Sequence, residues 1–168
     1  RSESFEIQVK AVLRSATALE VLLDHPDVKI LRSTHYRQHD TYFLFADPLA
    51  GRVRYREDDR IDEDGRIREV RARLTYMSPR KERNIDSAVA VSRSRFISSA
   101  DRPLRFYKEY FQADQERTVE KDRRRWSIEY RGVQFYVNVD QVLNPPQPQL
   151  YIELKSNTWS ARDADFKA

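Results

Sequence analysis

Gly51–Arg56 reads GRVRYR, and its alternation decides the kind of fold to expect. Successive side chains of an extended strand point to opposite faces. Arg52, Arg54 and Arg56 therefore share one face, and Val53 and Tyr55 the other. Three like charges in a row repel unless that face meets water or an anion.

The same layout recurs along the chain. Phe5–Val12 sets Glu6, Gln8 and Lys10 against Phe5, Ile7 and Val9. Arg66–Met77 sets Arg71 and Arg73 against Ala72 and Leu74, and Ala88–Phe96 brings Arg93 and Arg95 together. Lys121–Tyr130 sets Lys121, Arg123, Arg125 and Glu129 against Trp126 and Ile128. Gln134–Asp140 sets Tyr136, Asn138 and Asp140 against Val137 and Val139, and Leu150–Ser156 sets Glu153 and Lys155 against Ile152 and Leu154. Such period-two patterns predict half-buried strands, and the aromatic segment His35–Phe45 is β-prone as well. A helix is expected over Ala16–Asp24, capped by Ser15, and another from an Asp101 cap to about Ala113, with Pro103 in its first turn. Asp58–Gly65, Ser78–Asp86 and the proline-rich Asn144–Pro148 read as loops or turns, and Ser160 as the cap of a short terminal helix. About eight strands joined by short connections predict an α+β fold with an antiparallel sheet.

A length of 168 residues suits one domain over 1–168. A first residue of Arg1 rather than Met fits a domain excised from a longer chain. Charged residues make up 35%, but eight Phe, nine Tyr and two Trp supply a core and argue against global disorder. The net charge of +4 and the pI ≈ 9.4 point to an anionic partner. With no Cys, disulfides, thiolate zinc sites and cysteine nucleophiles are excluded, and a reducing compartment, the cytoplasm, is expected. No apolar run reaches the roughly 18 residues of a membrane span, so no membrane partner is expected. Three glycines are too few for a glycine-rich nucleotide loop, and His25, His35 and His39 lack metal-site spacing.

The polar faces of the alternating strands carry twelve cations: Lys10, Arg52, Arg54, Arg56, Arg71, Arg73, Arg93, Arg95, Lys121, Arg123, Arg125 and Lys155. Against them stand four acids, Glu6, Glu129, Asp140 and Glu153. A solvated face normally mixes signs, so a bound polyanion explains the bias better. Closing eight strands into a barrel would turn these faces inward. Guanidinium forks would then meet phosphate oxygens in bidentate pairs.

At this point the residues resemble a known family. EIQVK at Glu6–Lys10 resembles the EXEXK strand of the CYTH, or triphosphate tunnel metalloenzyme, superfamily. QHDTYF at Gln38–Phe43 is similar to its Q-x-D-T-Y-F strand, GRVRYR to its L-R-I-R strand, and LTYMSP at Leu74–Pro79 to its L-T-Y-K-G-P. KDRRRW, VNVDQV and YIELK, the last at Tyr151–Lys155, resemble its later strands in the family's order. The resemblance implies an eight-stranded antiparallel β-barrel, a triphosphate tunnel with flanking helices. It implies a triphosphate, polyphosphate or nucleoside triphosphate as partner and a triphosphatase-like phosphohydrolase as the leading activity. The alternatives are a non-catalytic polyphosphate or nucleotide sensor and a class IV adenylyl cyclase. A basic RNA-binding module is disfavoured, because the aromatics lie largely on the opposite strand faces, and nucleic acid is not an expected partner.

By the same resemblance, Glu6 and Glu153 would hold Mg²⁺ or Mn²⁺, and Lys10, Arg52, Arg54, Arg73, Arg93, Lys121 and Arg123 would grip phosphate; the strand pattern adds Arg56, Arg71, Arg95, Arg125 and Lys155 to the phosphate-binding set. Asp140 or Glu153 is expected to serve either as general base or as a salt-bridge partner. Three positions depart from the pattern: Gln8 and Lys155 replace acids, and Met77 replaces a lysine. Hard divalent cations want several carboxylate oxygens, so metal binding should be weakened. The net change is two added positive charges, the charge of one divalent cation. Lys155 is accordingly expected either to sit where a metal would or to pair with Glu153 or Asp140. Removing Arg54 or Arg123 should weaken ligand binding and relieve repulsion.

Overall fold

Alternation builds strands here because each strand finds a neighbour that pairs its backbone groups and continues its apolar face. The computed structural model describes residues 5–77, 83–84, 89–93 and 96–158, with side chains over 7–77 and 97–156. The elements run β1 (Phe5–Leu13), α1 (Ala16–Leu23), β2 (Val28–Leu44), β3 (Arg52–Ile61), β4 (Ile67–Met77), β5 (Arg83–Asn84), β6 (Val89–Arg93), β7 (Phe96–Ser99), α2 (Leu104–Phe111), β8 (Gln115–Tyr130), β9 (Val133–Asn144) and β10 (Pro146–Thr158). All strands pair antiparallel in one sheet, in the order β5-β6-β1-β10-β9-β8-β2-β3-β4-β7. The α+β class is as expected, with β5 and β7 as short additions to eight principal strands. Among the described residues β5 and β7 end the order without pairing to each other, so the sheet is open rather than a closed barrel.

Several boundaries differ from the sequence expectation. β2 starts at Val28 instead of His35, and β8 at Gln115 instead of Lys121, because the two pair along their length from Val28↔Tyr130 to Leu44↔Gln115. Polar residues such as Lys29, Arg32 and Ser33 hide that pairing. β3 continues through Asp58 to Ile61, since its ladder with β4 overrides the turn preference of aspartate. The turn comes later, where the Asp62 carboxylate accepts from the backbone N–H groups of Asp64 and Arg66 at 3.0 and 2.9 Å. β9 and β10 reach Asn144 and Pro146, which leaves only a tight connection in place of the wider Asn144–Pro148 turn. Ser15 caps α1 as expected, accepting from the Ala18 N–H. Asp101 does not cap α2; Pro103 occupies that position without a side-chain hydrogen bond, and Asp101 accepts from the Tyr107 hydroxyl. The expected Ser78–Asp86 loop lies largely, and the terminal helix at Ser160 wholly, outside the described residues.

The two helices cover the apolar side. α2 lays Tyr107 on Tyr55 and Phe111 on Phe43, with ring centroids 5.7 and 5.2 Å apart, and Leu74 and Val53 close the cluster. α1 sits over Ile7, Ile128 and Leu154 and leaves a groove of ≈ 510 Å³ there. Gly51 precedes β3 at φ +71°, where a Cβ would come within 2.6 Å of the Met77 carbonyl oxygen, so only glycine fits.

Candidate functional site: a buried cationic face

Directly opposed residues of an antiparallel pair share a face, and the register assembles the charged one. Gln8 and Lys10 lie opposite Lys155 and Glu153, Asn138 opposite both Glu153 and Arg125, and Asp140 opposite Arg123. Gln38 lies opposite Lys121 and Asp58, Asp40 opposite Arg56, Tyr42 opposite Arg54, and Arg56 opposite Arg73. The face runs continuously from β1 through β10, β9, β8, β2 and β3 to β4. It also curls, because Glu69, Arg71 and Arg73 of β4 line the same cavity as Arg125 of β8, although β2 and β3 lie between those strands in the order.

Three acids neutralise the centre of this face, and the sequence assigns only Asp140 of them to it. The Asp40 carboxylate accepts from Arg56 Nε and Nη2 at 2.6 and 2.7 Å, with side chains 0% and 5% exposed. Asp140 accepts from Arg123 Nε and Nη2, both at 2.7 Å, and Lys121 Nζ stands 3.7 Å away. Asp58 pairs with Arg73 and accepts from Gln38 Nε2 at 2.7 Å. Alternation within QHDTYF, carried through, places Asp40 beside Gln38 and Tyr42. Asp58 is hidden by its turn-rich sequence.

The remaining predicted residues fall into distinct settings. Arg125 Nε donates to Asn138 Oδ1 at 2.8 Å, and its guanidinium lies 4.8 Å from the Tyr136 ring centroid. Asn138, wholly buried, donates from its amide nitrogen to Glu153 Oε1 at 3.1 Å, and Lys155 Nζ stands 4.0 Å from the same carboxylate. Arg71 is held by Glu69 at 2.8 Å. Lys10 and Arg52 lie over the rings of Tyr151 and Tyr42 at 5.8 and 5.5 Å. Among the described residues no acid pairs with Lys10, Arg52 or Arg54, and Arg54 Nε is buried without a hydrogen-bond partner. The side chains of Glu6, Arg93 and Arg95 lie outside the described residues. Tyr36, Tyr42, Tyr136 and Tyr151 share the charged face, so more aromatic surface meets the cations than the sequence suggests.

Electrostatics follow this arrangement. Burial raises the Asp40 and Asp140 carboxyls, but the hydrogen bond and charge of Arg56 on one and of Arg123 on the other outweigh it and hold both below their ordinary range. Glu153 is likewise held low, against burial, by Arg123, Lys155 and Asn138. Arg54 is pushed down to about 10 by burial and by neighbouring Arg56. Lys121 is pushed down to about 7 by burial, then by Arg123 and Arg56.

A carboxyl held low contributes stability that is complete above its ordinary value, 3.8 for Asp40 and Asp140, and is lost as pH falls through the folded value. Thermal scans from pH 6 to pH 2 are therefore expected to show the melting temperature falling below about pH 4. A flat profile would mean that these pairs are hydrated.

Glu153 is the described member of the expected metal pair. Its carboxylate is taken by Asn138 and flanked by the Lys155 ammonium. No cluster of three or more His, Asp or Glu suited to a metal occurs among the described residues. The donors among the described residues fall short of the about six oxygens that a hard divalent cation wants. Between Gln38, Asp58 and Arg125 the face opens into a cavity of ≈ 300 Å³, lined also by Tyr36, Arg32, Arg60, Arg71, Arg73 and Glu69. Its wall thus holds five arginines against two acids.

Fold and site together define an antiparallel-sheet protein with a partly buried, cation-rich face. Among solved structures the chain is similar to the PH1819 protein of Pyrococcus horikoshii, at 14% identity and TM-score 0.63, covering 96% of this chain and 83% of that one. It is similar to a candidate adenylate cyclase of Vibrio parahaemolyticus, at 10% identity and TM-score 0.58, covering 99% and 83%. It is also similar to a chain of the Schizosaccharomyces pombe Mediator head module, at 12% identity and TM-score 0.55, covering 97% and 88%. No family model and no curated protein matches the sequence. At these identities the likeness is one of fold. Among the described residues no helix is long and apolar enough to cross a membrane.

Proposed function

We propose that this chain binds a triphosphate or polyphosphate anion on its curled charged face, in a channel of the triphosphate-tunnel type, and holds it without a resident metal ion. The observation that carries this reading is the cavity with five arginines and two acids in its wall. An excess of guanidinium over carboxylate around one cavity repels itself and is relieved when an anion completes it. Planar forks suit the oxygens of linked phosphates.

Binding is favoured over turnover by the state of the carboxylates. Asp140 has both oxygens filled by Arg123, and Glu153 is held low by its cationic neighbours. Neither is poised to accept a proton near neutral pH, which a general base must do. Lys155 supplies positive charge beside Glu153, the acid where the resemblance expects a metal.

Calorimetric titration with sodium triphosphate in excess EDTA is expected to give saturable binding, with orthophosphate much weaker. Phosphate release from triphosphate or ATP, with or without Mg²⁺ or Mn²⁺, is expected to stay at background. A strict Mg²⁺ requirement for binding would reject the metal-free reading, and turnover would replace the binder with a phosphohydrolase.

A further inference from the structure

Lys121 lies on β8 with its side chain 12% exposed and its ammonium 3.7 Å from Asp140 Oδ2. That carboxylate of β9 is already filled by the Arg123 fork. Asp40 of β2, the other acid acting on Lys121, is filled by the Arg56 fork of β3. Arg54 of β3 acts on Asp40 as well and adds to the positive excess. Gln38 and Val142, the register partners of Lys121 on β2 and β9, are uncharged. Two further acids act on the guanidiniums, but Asp58 beside Arg56 is held by Arg73, and Glu153 near Arg123 is flanked by Lys155. Of Lys121, Arg123 and Arg56, Lys121 is thus the cation left over, without a carboxylate of its own.

It is also the only one of the three that can give up its proton, since guanidinium stays charged at any accessible pH. A buried charge without full compensation neutralises instead of persisting. Burial, Arg123 and Arg56 pull Lys121 down to about 7 against Asp140 and Asp40. A polyphosphate on this face adds the negative charge that the trio lacks and favours the ammonium again.

We propose that anion binding on this face is proton-coupled: in mildly alkaline solution the free protein holds Lys121 as a neutral amine, which takes up a proton as the polyphosphate arrives. The amine lone pair accepts that proton from the buffer acid, and no bond of the ligand changes. The inference rests on the anion-binding reading above. It makes the face a binder whose grip loosens as pH rises.

The test is calorimetry of the whole chain with sodium triphosphate and EDTA at pH 8, in two buffers of different ionisation enthalpy. Wild type is expected to take up about 0.9 proton per triphosphate more than Lys121→Arg, whose charge does not titrate. Between pH 7 and 9 its affinity should fall roughly fiftyfold relative to that variant, the ligand's own titration being common to both. Lys121→Met, which keeps the buried stem without a titrating group, should lose the same extra proton and bind more weakly. Equal proton uptake in wild type and both variants would overturn the coupling while leaving anion binding intact. Absence of both heat and thermal stabilisation by triphosphate in wild type at pH 6 and 8 would overturn anion binding itself, and the coupling with it.

Discussion

Asp40→Asn is expected to lower the unfolding free energy by about 3–5 kcal/mol, the usual cost of leaving half of a buried ion pair behind. The carboxylate accepts two hydrogen bonds from Arg56, and neither side chain reaches solvent appreciably. Arg56 cannot escape by losing its proton: burial works against its charge, but Asp40 and Asp58 more than offset that and hold its pKa above the ordinary value. For a chain of this size the loss corresponds to a fall in melting temperature of roughly 10 °C. Asp40→Asn combined with Arg56→Met should recover most of the stability, since uncharged side chains of similar volume replace two buried charges at little cost. Urea titrations of the three proteins decide the matter. An unchanged midpoint in Asp40→Asn would mean that the Arg56 guanidinium is hydrated and the face is not a dry channel wall.

How far this face is legible in the sequence depends on which rule governs each residue. Strand alternation is local, so GRVRYR and KDRRRW declare from sequence alone that their cations share a side, and the register bears this out. Pairing is not local. Asp40 meets Arg56 because β2 and β3 align at Asp40↔Arg56, and Arg123 meets Asp140 because β8 and β9 align at that position. Nothing in either strand by itself announces the partner, and the positive excess read for this face is too high for want of Asp40, Asp58 and Glu69. Asp58 is lost to a local rule applied too far. Consecutive acids before Gly65 favour a turn, but the ladder to β4 keeps the chain extended as far as Ile61, with Glu57 opposite Ala72 and Asp58 opposite Arg71. Glu57 accepts from the Tyr55 hydroxyl at 2.9 Å on the face away from Asp58. Two-residue alternation therefore persists through this acidic stretch up to the turn at Asp62.

Arg54 and Arg123, which the sequence treats alike, are expected to respond in opposite directions when replaced. At the loss of a side-chain hydrogen bond to the Tyr42 hydroxyl, Arg54→Met removes a cation that no described acid pairs with, whose Nε is buried without a partner and which burial and Arg56 push down to about 10. Its loss should raise stability by about 1 kcal/mol, the lower end of the penalty for a buried unsatisfied polar group. Triphosphate affinity should fall roughly 10- to 100-fold, the loss of one charge-assisted contact. Arg123→Met instead strips Asp140 of its two bonds at 2.7 Å. The cost should lie near the lower end of the range for a broken buried pair, about 3 kcal/mol. It stays at that lower end because Lys121, already 3.7 Å from Asp140, regains its proton and partly takes the place of the lost guanidinium. Denaturant midpoints and triphosphate titrations on both variants measure all four quantities. Stability changes of the same sign would show that the two arginines play one role, and unchanged affinity in Arg54→Met would place the ligand elsewhere.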